Sequence, residues 1–186
     1  MNLKLLTWKL KGLNDREKRL HIKNMIKEWQ ADIIYLQETK MELITTQIVR
    51  SLWRCRYVDW MFLRSNDASG GILLMWDRRA VEKLEDAVRY FSVSCKFKNV
   101  EDQNVWMFIG VYGPNIDRDR SLMWDELVGV CCWWDVPRCL GGDFNVVRFP
   151  LERVGSESFS PTMYDFSDFI FVNGLVDIPM LGGNFT

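Results

Sequence analysis

The sequence predicts a mixed α/β fold in one domain that spans residues 1–186. Strand, helix and strand patterns follow one another within the first 40 residues, as they do in a βαβ unit. Further strand patterns occupy the middle of the chain, and two helix patterns follow them. A length of 186 residues, of which 48% are hydrophobic, is enough for one hydrophobic core.

Local patterns define the first three elements. Residues 3–10 alternate loosely between apolar and polar and suit a short strand. Asp15 can cap a helix over residues 16–30, since apolar side chains recur there on one face. The continuous apolar run 33–36 predicts a buried, parallel strand, and it ends in Gln37 and the carboxylate of Glu38.

The middle of the chain predicts an antiparallel meander. Three apolar segments with short connections lie at residues 72–76, 90–97 and 105–112. In the second of them Phe91, Val93, Cys95 and Phe97 alternate with other residues and so share one face.

The last third of the chain predicts two helices around a short strand. Pro137 ends the first helix, and Gly174 caps the second, which begins at Pro161. The turn signal Gly182-Gly183-Asn184 predicts the start of a β-hairpin. The predicted segments are a helix at 117–134, a strand within 139–147, a polar loop at 152–160 and a helix at 161–173.

Composition narrows the chemistry that this chain can carry. Five cysteines without a C-x-x-C pair argue against a disulfide framework and against structural zinc. The single histidine, His21, lies off the apolar face of its helix and is predicted at the surface or at its boundary. Catalytic triads and histidine-based metal sites need histidines that this chain lacks or must find in that one, so we expect catalysis through carboxylates, amides and a hard metal ion. With 24 Lys and Arg against 25 Asp and Glu, binding of nucleic acid would need a local basic face.

The sequence also lacks signals for membrane insertion or secretion. No run of about 18 apolar residues occurs, which argues against a membrane-spanning helix and a membrane partner. The first residues carry lysines within their apolar stretch and no small-residue cleavage site. We therefore expect an intracellular chain, either nuclear or cytoplasmic.

Polar groups follow four of the predicted strands, at Trp8-Lys9, Gln37-Glu38-Thr39, Tyr112-Gly113-Pro114 and the segment 141–145. Ligands of α/β folds gather at such strand ends. Glu38 could hold a hard divalent cation, or it could be an acid that simply meets solvent. Asp143 could orient or deprotonate a water and Asn145 could donate to an oxyanion, although D-x-N sequences also form simple turns.

The ordered set LQETK, GGILLMWD, VYGP, GGDFNVVR and FSDFIFVNGLVDIPMLGGNFT resembles the endonuclease/exonuclease/phosphatase superfamily. It is most similar to the apurinic-endonuclease-like domain of plant LINE-type (non-LTR) retrotransposons. The resemblance implies a four-layered sandwich of two mixed β-sheets flanked by helices. It also implies phosphodiester hydrolysis that depends on Mg²⁺, or on Mn²⁺ in its place.

The resemblance assigns roles to particular residues. Glu38 would be the metal ligand, and Tyr112 would position the phosphate. Asp143 would align or activate the water, while Asn145 would bind the scissile phosphate. Arg148 is a further candidate for substrate binding, since a domain that acts on DNA needs a basic groove.

Two departures from the family pattern predict impaired activity. The tryptophan of the first strand is followed by asparagine in the family, but by Lys9 here, and an ammonium repels a divalent cation and offers it no carbonyl oxygen. The family also carries a C-terminal serine-aspartate-histidine motif, which is absent from this sequence. We therefore expect an incomplete domain with its last strands missing.

Three hypotheses about function remain open. The first is a Mg²⁺-dependent phosphodiester hydrolase of the retrotransposon endonuclease type that nicks DNA. The second is a catalytically impaired, non-enzymatic remnant of such a domain, and the third is a phosphatase for small phosphate esters, which the same fold can support. The predicted partners are DNA and other parts of a retrotransposon polyprotein, without a small-molecule cofactor.

Overall fold

Two four-stranded sheets dominate the computed structural model, which describes residues 3–66, 69–153 and 158–178. The described residues form two compact units: one holds the residues up to Tyr112 together with Trp134–Asp143, and the other holds Gly113–Trp133 and the residues from Phe144 onward. The elements are β1 Leu5–Lys9, α1 Arg16–Trp29, β2 Ile33–Gln37, α2 Thr46–Leu52, β3 Val58–Asn66, β4 Ser69–Asp77, β5 Val81–Val88, β6 Ser92–Asn99, β7 Val105–Tyr112, α3 Asp117–Cys131, β8 Arg138–Asp143 and α4 Pro161–Val172.

The first sheet has the strand order β1-β2-β4-β3. β1 and β2 are parallel, as a βαβ connection through α1 requires, and the other pairs are antiparallel. One face of this sheet packs against α1 and α2 through buried side chains such as Ile22, Ile26 and Leu52. Asp15 caps α1 as predicted, because its side chain accepts a hydrogen bond from the backbone N–H of Glu17 at 2.8 Å.

The second sheet has the strand order β5-β6-β7-β8, in which only β7 and β8 are parallel. Its inner face meets the first sheet in a second core of fully buried side chains. Tyr35 packs edge-on against Phe108 with ring centroids 5.4 Å apart. Trp76 packs in the same way against Phe97 at 5.5 Å, and both contacts have the geometry that aromatic pairs prefer.

Gly110 on β7 allows the two sheets to approach at this point. A Cβ atom at Gly110 would overlap the ring of Tyr35. The position therefore has no room for a side chain while Tyr35 fills the space between the sheets.

The predicted fold class is confirmed: the chain is mixed α/β, with two mixed sheets and helices packed on the first of them. The predicted meander is wrong in one strand, because β4 pairs with β2 and β3 of the first sheet. The meander consists instead of β5, β6 and β7. The prediction did not include α2, β3 or β5.

The second unit contains α3, a single 3₁₀ turn at Pro150–Glu152 and α4. Trp124 of α3 stacks on Phe144 and Phe166 with centroids 6.2 and 5.4 Å apart, and it also contacts Phe169. Gly174 has a φ of +61° just after α4, which is the left-handed conformation of a helix C-cap. The hairpin predicted at 182–186 lies outside the described residues, and none of the described helices is long and apolar enough to cross a membrane.

Candidate active site at the ends of four strands

The first unit brings the carboxyl ends of four strands to one place. β1 and β2 are parallel, with Lys9 opposite Gln37. β7 and β8 are also parallel, with Tyr112 opposite Asp143. Since β1 of the first sheet also contacts β8 of the second, the four strand ends form one edge, as the pattern of polar strand ends predicts.

Glu38, Tyr112 and Asp143 meet at this edge, and Lys9 lies among them. The Lys9 Nζ is 2.5 Å from Asp143 Oδ2 and 3.3 Å from Glu38 Oε1. The phenol of Tyr112 lies close enough to Glu38 for the charge of that carboxylate to act on it. Three residues that the sequence predicts separately as site residues are thus in one cluster. The group at its centre is the ammonium of Lys9.

The two carboxylates are more shielded from solvent than the ammonium. The side chains of Glu38 and Asp143 are 20% and 19% exposed, whereas that of Lys9 is 41% exposed. Charges in such a half-buried position interact more strongly than fully solvated ones. The cluster is therefore an electrostatically coupled group rather than a set of independent surface charges.

The backbone around Glu38 departs from regular strand geometry. Glu38 directly follows β2 and has a φ of +53°, in the left-handed region that non-glycine residues rarely adopt. Such a conformation costs on the order of 1 kcal/mol and persists only where surrounding contacts hold it. The contacts are present, because Gly12 N–H donates to the Glu38 carbonyl oxygen and Thr39 N–H donates to that of Gly71.

Gly142 places Asp143 by a close approach between β7 and β8. Its φ is +130°, and a Cβ atom there would collide with the carbonyl oxygen of Val111. The same hypothetical atom would lie 3.1 Å from Nε2 of Gln37. The two glycines before Asp143 are part of strand β8. Because glycine has no side chain, the backbones of β7 and β8 can approach closely at this point.

The sequence places Gln37 among the polar groups at the strand ends but does not predict its structural role. Gln37 is 2% exposed, and its Nε2 donates to the carbonyl oxygen of Val111 at 2.5 Å. This hydrogen bond joins β2 of the first sheet to β7 of the second. A polar residue that ends a fully apolar strand is the signal that could have identified it, because a buried amide needs a partner.

The protonation states of Tyr112 and Lys9 follow from their neighbours. Burial, followed by the negative charge of Glu38, raises the pKa of Tyr112 above its ordinary value of 10.0. Burial lowers the pKa of Lys9, but its hydrogen bonds and charge interactions with Asp143 and Glu38 outweigh this effect and raise that pKa above 10.5. Near neutral pH the phenol is a neutral donor and the lysine is an ammonium.

Asn145 and Arg148 belong to the second unit. Nδ2 of Asn145 donates to the Gly113 carbonyl oxygen at 2.6 Å, and the Asn145 carbonyl accepts from Arg120 Nη2 at 2.8 Å. Asn145 has a φ of +51°, a conformation that asparagine tolerates better than most residues.

Arg148 contacts an acidic and an aromatic side chain. Its Nη1 is 2.7 Å from Asp177 Oδ2, and its guanidinium lies 5.0 Å from the ring centroid of Phe149. His21 is exposed, as predicted, and its ring lies edge-on to Trp8 with centroids 6.1 Å apart.

The cluster does not fit a divalent cation as it stands. In the ranges 3–66, 69–153 and 158–178, no group of three or more His, Cys, Asp or Glu side chains is arranged to hold a metal ion. Mg²⁺ prefers several oxygen ligands at about 2.1 Å. The oxygens of Glu38 and Asp143 that could contribute are instead in contact with the Lys9 ammonium.

Comparison with known proteins identifies the fold. No protein-family model matches the chain. No curated protein matches it either. AP endonuclease LMAP from Leishmania major is similar in structure, with a TM-score of 0.69 and 12% identity over 92% of this chain and 66% of that one.

Two further structures are similar. The human Nocturnin catalytic domain has a TM-score of 0.60 and 18% identity over 78% of this chain and 64% of that one. The endonuclease/exonuclease/phosphatase from Bacteroides vulgatus has a TM-score of 0.61 and 15% identity over 78% of this chain and 66% of that one. The chain therefore has the fold of endonuclease/exonuclease/phosphatase proteins, and it spans a little less than two thirds of the length of these three structures.

Proposed function

We propose that this chain is a phosphodiester hydrolase of the retrotransposon endonuclease type, similar to those of plant LINE elements, and that its substrate is DNA. The observation that carries the proposal is the convergence of Glu38, Tyr112 and Asp143 at the ends of separate strands. Strand ends of α/β folds are where such proteins bind their ligands. An AP endonuclease is among the proteins that share this fold.

Each proposed role follows from the chemistry of the side chain. The neutral phenol of Tyr112 can donate a hydrogen bond to a phosphate oxygen and so position the diester. The carboxylate of Asp143 can accept a proton from the attacking water. The amide of Asn145 can donate to an oxygen of the scissile phosphate.

Lys9 supplies the positive charge that is present at this edge. Negative charge builds on the phosphate during an in-line displacement, and a fixed cation nearby stabilises it. The Mg²⁺ dependence that the resemblance implies does not fit the side chains as they are arranged, so no step of this proposal uses a metal ion.

A second candidate function is a domain with impaired catalysis, and one observation favours it. Both carboxylates contact the same ammonium, and the shorter distance, 2.5 Å, is to Asp143. A carboxylate that accepts a charged hydrogen bond is less available to deprotonate water. This arrangement reduces the rate of hydrolysis without disturbing the fold.

The test is nicking of supercoiled plasmid DNA by the purified chain, with Mg²⁺ and with EDTA. We expect slow nicking by the wild type and at least about a hundredfold less by Asp143→Ala, the size typical for loss of a general base. Asp86→Ala is the matched control, since it removes a strand carboxylate that is also paired with a lysine, Lys83. It should leave nicking unchanged.

The outcomes separate the candidates. Nicking that disappears in Asp143→Ala but not in Asp86→Ala supports the hydrolase. If the folded wild type is inert on DNA in both buffers, the proposed activity is wrong and the impaired domain takes its place. Hydrolysis of a sugar phosphate without any nicking of DNA would instead indicate a phosphatase on the same fold.

A further inference from the structure

The Lys9 ammonium has two carboxylate partners from separate elements. Asp143 ends β8 in the second sheet, and Glu38 follows β2 in the first. Each of the other lysine ion pairs described in the two sheets joins a lysine to one carboxylate: Lys83 to Asp86, Lys96 to Glu85 and Lys98 to Glu82. The edge of the four strands thus concentrates two shielded negative charges on a single cation.

The ammonium lies where an external cation would have to bind. Two carboxylate oxygens are within 3.3 Å of Nζ, so an ion that ligates both must enter the space that Nζ fills. A divalent ion prefers oxygens at about 2.0–2.6 Å and cannot share that space with an ammonium. Like charges a few ångströms apart in a half-buried site repel more strongly than they do in bulk water.

Because the ammonium is covalently attached to the strand, it competes better than a free ion for the two carboxylates. Lys9 is a strand residue with its backbone fixed opposite Gln37, so its side chain is held near the carboxylates at every moment. An intramolecular partner competes as if it were present at a high local concentration. Tyr112 adds a neutral phenol and no negative charge that would attract a second cation.

We propose that the Lys9 ammonium is a built-in counter-ion that takes the place of a divalent cation between Glu38 and Asp143. The wild-type chain then binds divalent cations weakly at this edge, and a neutral side chain at position 9 opens a site for one. The inference rests on the proposed function for the identity of the site, but it concerns cation binding and not turnover.

The test is titration of Mn²⁺ into the purified chain, followed by water-proton relaxation, which reports bound Mn²⁺ without any need for activity. Three variants are compared with the wild type: Lys9→Asn, Lys9→Met and Lys9→Asn/Asp143→Asn. Lys98→Asn is the matched control, since it frees one carboxylate, Glu82, from a lysine elsewhere in the second sheet. Circular dichroism establishes that each variant is folded.

We expect Lys9→Asn to bind one Mn²⁺ at least about tenfold more tightly than the wild type, because a nearby positive charge is gone and an oxygen ligand is added. Lys9→Met removes the charge without adding an oxygen, so its affinity for Mn²⁺ should lie between those of the wild type and Lys9→Asn. The double variant should return to weak binding, and Lys98→Asn should not differ from the wild type.

The inference is overturned if the wild type binds one Mn²⁺ as tightly as both Lys9 variants do. It is also overturned if the double variant retains the gain of Lys9→Asn, since the ion would then bind elsewhere. The proposed function fails separately: if the Lys9 variants gain Mn²⁺ as expected but the folded wild type does not nick DNA, the built-in counter-ion is supported and the hydrolase is not.

Discussion

Replacing Gly142 with alanine perturbs the contact that places Asp143. The added Cβ would collide with the carbonyl oxygen of Val111 and would lie 3.0 Å from the Val111 nitrogen. Both atoms belong to the backbone of β7, which cannot swing aside as a flexible side chain can. We therefore expect β7 and β8 to separate locally, and the free energy of unfolding to fall.

The magnitude follows from two contributions. Forcing an extra methyl group into a tightly packed site costs about 1–3 kcal/mol. The φ of +130° at Gly142 adds about 1–3 kcal/mol for a residue with a side chain. A loss of about 3 kcal/mol in a chain of this size corresponds to a decrease in Tm of about 6–12 °C.

The assay is urea unfolding of the wild type, Gly142→Ala and Gly129→Ala. Gly129 is a matched control in helix α3, where an added Cβ would meet nothing within 4 Å. Alanine there should raise stability by about 0.5–1 kcal/mol, since glycine is unfavourable inside a helix. A Gly142→Ala chain within about 0.5 kcal/mol of the wild type would refute the close approach of β7 and β8.

Two further predictions concern titratable groups. The hydrogen bond from Arg79 holds the pKa of Asp77 below its ordinary value of 3.8, so the stability it contributes is complete above that value and is lost as the pH falls through the folded pKa. The stability advantage of the wild type over Asp77→Asn should shrink below about pH 4 in acid unfolding curves, and a constant difference would contradict this. Burial raises the pKa of Cys95 to about 12, so a disulfide reagent near neutral pH should label the exposed Cys132 quickly and Cys95 only after unfolding. Peptide mapping by mass spectrometry measures the labelling rates of the two cysteines, and equal rates would show that Cys95 is accessible.

Elements that depend on neighbouring residues could be predicted from the sequence. Helix α1 was predicted over 16–30 and extends over Arg16–Trp29, because the cap at Asp15 and the apolar face are both local features. Strand β2 was predicted from an apolar run, and all five of its residues are buried. In these elements, local preference and tertiary packing agree.

Elements that depend on distant partners could not be predicted in the same way. Strand β5 is rich in charged residues, and it is paired along its length with β6, where Glu82 and Glu85 lie opposite lysines. Nothing in its own sequence resembles a core strand. The apolar run 72–76 predicts part of strand β4, which extends over Ser69–Asp77. Its neighbours β2 and β3 are determined by long-range pairing.

In the candidate site, too, the features that depend on local sequence could be predicted, and those that depend on distant residues could not. The pattern of polar strand ends predicts that Glu38, Tyr112 and Asp143 lie at a common edge, which is where the structure places them. Their catalytic roles stay predictions. The sequence also flagged Lys9 as a departure, but it could not reveal that one ammonium would contact two carboxylates, since Lys9 and Asp143 are 134 positions apart.

The buried amide of Gln37 gives the two halves of this edge a fixed alignment. A slide of one sheet past the other would break its hydrogen bond to Val111 and leave the buried amide without that partner, at about 1–3 kcal/mol. Positions in which one sheet has slid partway past the other are therefore unfavourable. The geometry of Lys9, Glu38 and Asp143 thus depends on a side chain that need not touch any substrate.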